Sequence, residues 1–221
     1  MAIDKAVLNN QSQHWETVFS DESDMFGIEP SQPAIFTAEL CRKERKGKIL
    51  ELGAGQGRDT VYLASQGLSV WAIEYTATGA AAIKQKALKL GLSDNITVIQ
   101  HDVRKPLPFE EESFDACFSH MLYCMAFTGE ELELLSSEVR RTLRPGGLNI
   151  YTARNTADKH YGAGIHRGEN MYEVNGFIVH FFDRQLIDRL ASGYGIQDIV
   201  EFEEGELPRK LYRVTLQRNH S

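Results

Sequence analysis

The chain has 221 residues, 42% of them hydrophobic and 25% charged, with a formal net charge of −7 at pH 7, the profile of a globular domain rather than a disordered or fibrous chain. The acidic balance argues against a basic nucleic-acid surface, no apolar run approaches the roughly 18 residues of a membrane span, and the first residues lack the charged-then-apolar order of a secretory signal. Three scattered cysteines, Cys41, Cys117 and Cys124, make no disulfide framework and point to a reduced, cytoplasmic setting.

In chain order, a short helix is expected around His14–Phe19, then a polar loop through Pro30 and a helix opened by Pro33. GKILELG (47–53) is apolar and bounded by glycines, as a buried strand is. Arg58 to Gln66 reads as a short helix stopped by Gly67, and LSVWAIEY (68–75) as a second buried strand. Ile83, Ala87 and Leu90 share one face of a helix over 78–90. NITVIQHD (95–102) and SFDACFSH (113–120) give a third and fourth strand. Leu132, Leu135, Val139 and Leu143 mark another amphipathic helix, ended by Arg144-Pro145-Gly146-Gly147, and LNIYTAR (148–154) a fifth strand. Strands alternating with helices at this spacing imply a parallel sheet covered on both faces. Residues 155–176 have no period and read as a long functional loop. After them come GFIVHFF (176–182), a short helix from Asp183, and strands near 195–203 and 210–217 as an antiparallel addition to the sheet.

In ILELGAGQGRDT (49–60), Gly53, Gly55 and Gly57 lie on the turn that leaves the first strand. Ligands of doubly wound sheets bind there, outside the carboxyl ends of the strands. The glycines let a ligand approach the main chain, and the helix from Arg58 offers free N–H groups. The second strand ends in Glu74, placed to take both ribose hydroxyls of a nucleoside. The third ends in Asp102, an acceptor for an adenine amino group, with the Val103 N–H beside it. Three successive strands thus put nucleoside-compatible groups at one edge of the sheet.

ILELGAGQGRDT, Glu74, HDVRKPLPF, SFDACFSHMLY and LRPGGLNIY together resemble the class I S-adenosylmethionine-dependent methyltransferases, in order and over about residues 47–153. HWETVF and MFGIEPSQ are similar to the start of small-molecule methyltransferases of the tellurite-resistance and thiopurine type. The resemblance implies an α/β, Rossmann-like, doubly wound sheet of seven strands, mostly parallel with an antiparallel C-terminal strand. It implies one domain: 1–46 as a helical cap over the site, 47–153 as the cofactor-binding core, 154–221 as lid loop and C-terminal strands. S-adenosyl-L-methionine is the implied cofactor. Trp15, Glu51, Gly53, Ala54, Gly55, Glu74, Tyr75, Asp102, Val103 and Ser119 are the implied cofactor residues. A nicotinamide-dinucleotide Rossmann enzyme is the competing reading. Its fingerprint is G-x-G-x-x-G, whereas the third glycine here comes one place early. Glu51 would repel a pyrophosphate but accept from the ammonium of a methionine tail.

The expected partner is a small-molecule methyl acceptor: a thiol, chalcogen, amine or hydroxyl compound. Ser119-His120-Met121-Leu122 lacks the proline pair of the family's DNA amino-methylating members, and no Pro-Cys of base C5 enzymes is present. His120 and Tyr123 are the catalytic candidates, with His160 or His166 as lid groups that close over the site. His160, His166 and His180 fit no ligand spacing, so no metal is expected. A protein that binds the cofactor as a sensor or partner subunit is the alternative from another functional class.

Overall fold

The computed structural model describes residues 3–205 and 209–220. Its strands are Lys48–Leu52 (β1), Ser69–Glu74 (β2), Ile96–Gln100 (β3), Phe114–Ser119 (β4) and Leu143–Arg154 (β5). There follow Ile165–Gly168 (β6), Met171–Val174 (β7), Phe177–His180 (β8), Tyr194–Glu204 (β9) and Arg209–Arg218 (β10). Seven of them form one sheet in the order β3-β2-β1-β4-β5-β10-β9. Strands β1 to β5 pair in parallel, and β10 is inserted antiparallel between β5 and β9. The strand order reverses between β1 and β4, the place where such sheets open a crevice.

The helices are Lys5–Asn9 (α1), Gln11–Asp21 (α2), Gln32–Lys43 (α3), Arg58–Ser65 (α4), Ala77–Lys89 (α5), Gly129–Thr142 (α6) and Arg184–Leu190 (α7). Alternation along β1 sends Ile49 to the face covered by α3, α4 and α5, and Leu50 and Leu52 to the face covered by α6 and α7. Each such side chain contributes about 1.5–3 kcal/mol on burial. The helix starts are chemically marked. Thr128 and Glu131 form a reciprocal capping box on α6, Ser31 caps α3 with Pro33 in its first turn, and Asp183 caps α7. None of the helices among the described residues is long and apolar enough to cross a membrane.

Two expectations change. Arg144 to Gly147 do not close a turn before the fifth strand; β5 starts directly after α6 and carries them as an irregularity between the pairs Phe114–Leu143 and Ala116–Leu148. The stretch 155–176 is not one aperiodic loop, since β6, β7 and β8 make a three-stranded antiparallel sheet. Its strands have four residues each, too few to show a period. Asn175 and Gly176 both take positive φ, +52° and +82°, the two-residue hairpin turn that Asn-Gly favours. That dipeptide was the available signal.

Candidate functional site

The carboxyl ends of β1 to β5 open into one cavity of about 850 Å³, roofed by α2 and by the β7–β8 hairpin. Its floor is the glycine turn. Gly55 has φ +56°, with Phe19 of the roof 3.5 Å from where a Cβ would stand. Gly57 has φ +85°, and a Cβ there would lie 2.8 Å from Ile83 of α5. A side chain at either position is strained. Gly79, which sequence reasoning passed over, matters for the same reason: its Cβ would stand 2.7 Å from the Gly55 carbonyl. Helix α5 therefore docks directly on the turn.

Glu51, Gly53, Ala54, Gly55, Glu74, Tyr75, Asp102, Val103 and Trp15 all line this cavity. Glu51 is 3% exposed and its Oε2 has no hydrogen-bond partner among the described residues. Burial pushes its carboxyl up to about 8, against the favourable effect of Thr60 beside it. A buried carboxylate oxygen without a donor is costly, and an ammonium group in the cavity would satisfy it. Asp102 is a half-satisfied acceptor, gripped from one side by Arg104 at 2.6–3.1 Å. Burial opposes its ionisation, but Arg104 holds the carboxyl below its ordinary value.

Glu74 departs from expectation. A carboxylate reserved for a nucleoside would be free to turn to the ligand, yet Glu74 is 3% exposed and bound within the protein. Its Oε2 accepts from the Gly55 N–H at 2.9 Å, and its Oε1 from the N–H and hydroxyl of Thr76 at 2.9 and 2.7 Å. The longer glutamate side chain folds back and ties the glycine turn to the cap of α5. Burial raises its pKa, partly offset by these donors. Removing the carboxylate would therefore cost fold stability as well as any ligand contact.

The roof is fastened to the turn by side chains that the sequence did not single out. Gln56 accepts from Met25 N–H at 2.9 Å and donates to the Glu22 carbonyl at 2.8 Å. Asp59 accepts from the N–H and hydroxyl of Ser31, both at 2.8 Å. Glu16 of α2 accepts from Ala77 and Thr78 N–H at 2.7 and 2.9 Å, capping α5, and its Thr78 contacts hold its carboxyl below the ordinary range. Trp15 packs on Phe19, Phe26 and Phe177. Gln11 donates to the Gly176 carbonyl at 2.8 Å and accepts from Ile178 N–H at 3.3 Å, which joins α2 to the β7–β8 hairpin.

At the β4–β5 end, His120 lines the cavity with both ring nitrogens engaged. Nε2 lies 3.1 Å from Glu204 Oε2, and Nδ1 lies 2.9 Å from the Thr152 hydroxyl. An ionised carboxylate only accepts, so Nε2 donates to Glu204 and Nδ1 accepts a hydrogen bond from the Thr152 hydroxyl. Burial works against the Glu204 anion, but His120 holds its carboxyl below the ordinary value.

Tyr123 is corrected outright as an acid–base candidate. It is fully buried, stacks on Tyr151 at 4.2 Å, and does not line the cavity. Burial raises its phenol well away from neutral pH. Ser119 is likewise fully buried beneath the site and lines none of it. His166 donates to the Glu169 carbonyl at 2.8 Å, away from the cavity. Among the described residues no three His, Cys, Asp or Glu side chains are placed to hold a metal ion.

The structure adds a cluster that the sequence did not reveal. Arg154, at the end of β5, donates from Nε and Nη2 to Asp158 at 3.2 and 2.6 Å and from Nη2 to His160 Nδ1 at 2.7 Å. Arg154, His160, Glu204 and Arg209 all face the cavity. Their union depends on β5, β9 and β10 meeting in register, which no local motif announces.

Residues 49–147 match a family described as "Methyltransferase domain". No curated protein sequence matches the chain. Among solved structures, the fold is similar to 1,6-didemethyltoxoflavin-N1-methyltransferase of Burkholderia thailandensis, with 15% identity, a TM-score of 0.76, and 99% of this chain and 92% of that one covered. It is also similar to TehB of Haemophilus influenzae (16%, 0.68, 93% and 67%) and to the [4+2]-cyclase SpnF (15%, 0.74, 97% and 97%).

Proposed function

We propose that the chain is an S-adenosylmethionine-dependent methyltransferase acting on a small molecule: residues 49–147 match a family described as "Methyltransferase domain", and the segments on either side build walls of the same cavity. The observation that carries this reading is Glu51. Its unpartnered buried oxygen beside the glycine turn suits the ammonium of an amino-acid tail, which would favour the ionised form of the carboxyl that burial disfavours. Tyr75, Asp102 and Val103 offer the nucleoside end an aromatic face, an acceptor and a donor. Glu74 keeps the turn in place and lines the same space. Bound S-adenosylmethionine supplies a methyl group already activated on a sulfonium. The chain's own task is to align a nucleophile with it and to exclude water. A cavity of about 850 Å³, near the top of the roughly 300–1,000 Å³ range of ligand sites, leaves room for two occupants.

We assign the acceptor's attacking atom to a thiol, chalcogen, amine or hydroxyl group. With both nitrogens of His120 engaged, a nucleophile that keeps its lone pair near neutral pH suits the site best. Calorimetry with S-adenosylhomocysteine tests the reading. Low-micromolar affinity, roughly −7 to −8 kcal/mol, is expected; tighter binding of NAD would overturn it. The occupied His120 favours a second reading, a site that binds the cofactor without transferring from it, and release of S-adenosylhomocysteine over a panel of acceptors separates the two.

A further inference from the structure

Asp158 has a fully buried side chain. It accepts from Arg154 Nε and Nη2, from the His160 N–H at 2.8 Å and from the Lys210 N–H at 2.9 Å. So many donors fix the carboxylate, and the carboxylate in turn fixes the guanidinium. Arg154 is 8% exposed and lies 5.1 Å over the Phe181 ring. Arginine has donors only, so His160 Nδ1 accepts from it and the ring proton sits on Nε2. His160 is therefore a hydrogen-bond donor toward the cavity, not the lid base its position suggested. Nη1 of Arg154, with no acceptor among the described residues, provides the second donor.

We propose that this corner of the cavity binds the carboxylate of the methyl acceptor, between Arg154 Nη1 and His160 Nε2, with the acceptor's apolar body against Met125, Tyr172 and Val179. The inference rests on the methyltransferase reading for the word acceptor, but not for the anion site itself. A fixed guanidinium edge beside a second N–H donor matches the two oxygens of a planar carboxylate. Charge selects the class further. Asp158 and Glu204 cancel Arg154 and Arg209, so the corner offers fixed donors without net positive charge, which disfavours the two charges of a phosphate ester more than the single charge of a carboxylate. Glu204 does not close the corner to an anion, because its charge is directed at the His120 N–H. Met125, Tyr172 and Val179, each partly buried, complete an apolar wall.

The test uses the full-length protein saturated with S-adenosylhomocysteine and titrated calorimetrically with benzoate, hexanoate, benzamide and phenyl phosphate. At least one carboxylate should bind 10-fold or more tightly than benzamide and than phenyl phosphate. His160→Phe and Arg154→Gln should each weaken that binding at least 5-fold, with affinity for S-adenosylhomocysteine unchanged within a few-fold. If Arg154→Gln fails to fold, His160→Phe carries the comparison alone. Equal binding of benzoate, hexanoate and benzamide, tighter binding of phenyl phosphate, or wild-type affinity in His160→Phe would each overturn the proposal. Failure of S-adenosylhomocysteine to bind would instead sink the methyltransferase reading, and the same titration of the ligand-free protein would still decide the anion site.

Discussion

At the β1–β3 end of the cavity the shape is set by the main chain: positive-φ glycines, the Gly79–Gly55 approach, and strand ends that aim Glu51, Glu74 and Asp102 inward. At the β4–β5 end the polar groups are held by one another, His120 by Glu204 and Thr152, Arg154 by Asp158 and His160. A main-chain site has little freedom to vary with sequence, whereas a site made of paired side chains can be rebuilt by substituting them. One end thus fits an unchanging ligand and the other a variable one, which matches a shared donor and a particular acceptor.

The comparison breaks most readily at the turn. Gly55→Val puts a β-branched residue at φ +56° against Phe19, a backbone cost of roughly 1–3 kcal/mol before any clash with ligand. Affinity for S-adenosylhomocysteine should fall about 100-fold or more, with far-ultraviolet circular dichroism unchanged. Normal binding would place the ligand elsewhere.

Glu51→Gln sharpens the comparison with a smaller effect. Losing a charge-assisted bond of about 1.5–3 kcal/mol should weaken S-adenosylhomocysteine by roughly 10- to 100-fold. The pH dependence has a definite sign. The folded carboxyl sits at about 8 against an ordinary 4.5, so between these values the unfolded chain gives up a proton that the folded chain keeps. This contribution to stability is fully present below about 4.5 and is lost as pH rises to about 8. Denaturant melts at several pH values should show that slope in the wild type and not in Glu51→Gln. At pH 7 the ligand's ammonium should expel a proton on binding, seen as calorimetric heats that depend on the buffer.

Glu16→Ala should have the smallest effect. Thr76 still caps α5, so loss of the added Glu16 tie should cost toward the lower end of the roughly 0.5–2 kcal/mol of a helix cap, and Tm should fall by about 2–4 °C for each kcal/mol. Because Glu16 is held below its ordinary value, its contribution is present above that value and is lost on acidification. An unchanged Tm would show that the roof stays down without it.

The sequence was most legible where local pattern and structure coincide. The strand 47–53 and its glycines announced themselves through an apolar run broken by residues that only a tight turn or a close ligand requires. Glu74 was placed correctly but misjudged, because nothing local says that its carboxylate turns back to Gly55 and Thr76. Tyr123 has the right spacing from β4 for a pocket wall, but stacking on Tyr151 draws it into the core. Glu204 and Asp158 became visible only through strand register and the chain's return after β5, both products of long-range packing.

The tethers of the roof also bear on the order in which the chain assembles. Residues 11–31 are synthesised before the distant partners that tether them to the rest of the chain. Gln56 and Asp59 follow in the first strand-to-helix unit, Ala77 and Thr78 in the next, and the Gly176 carbonyl lies 165 residues after Gln11. Contacts this distant are entropically costly until the elements between them are ordered. A segment whose tethers lie so far along the chain settles after the elements that carry them. The cavity gains its roof only once the sheet beneath is complete.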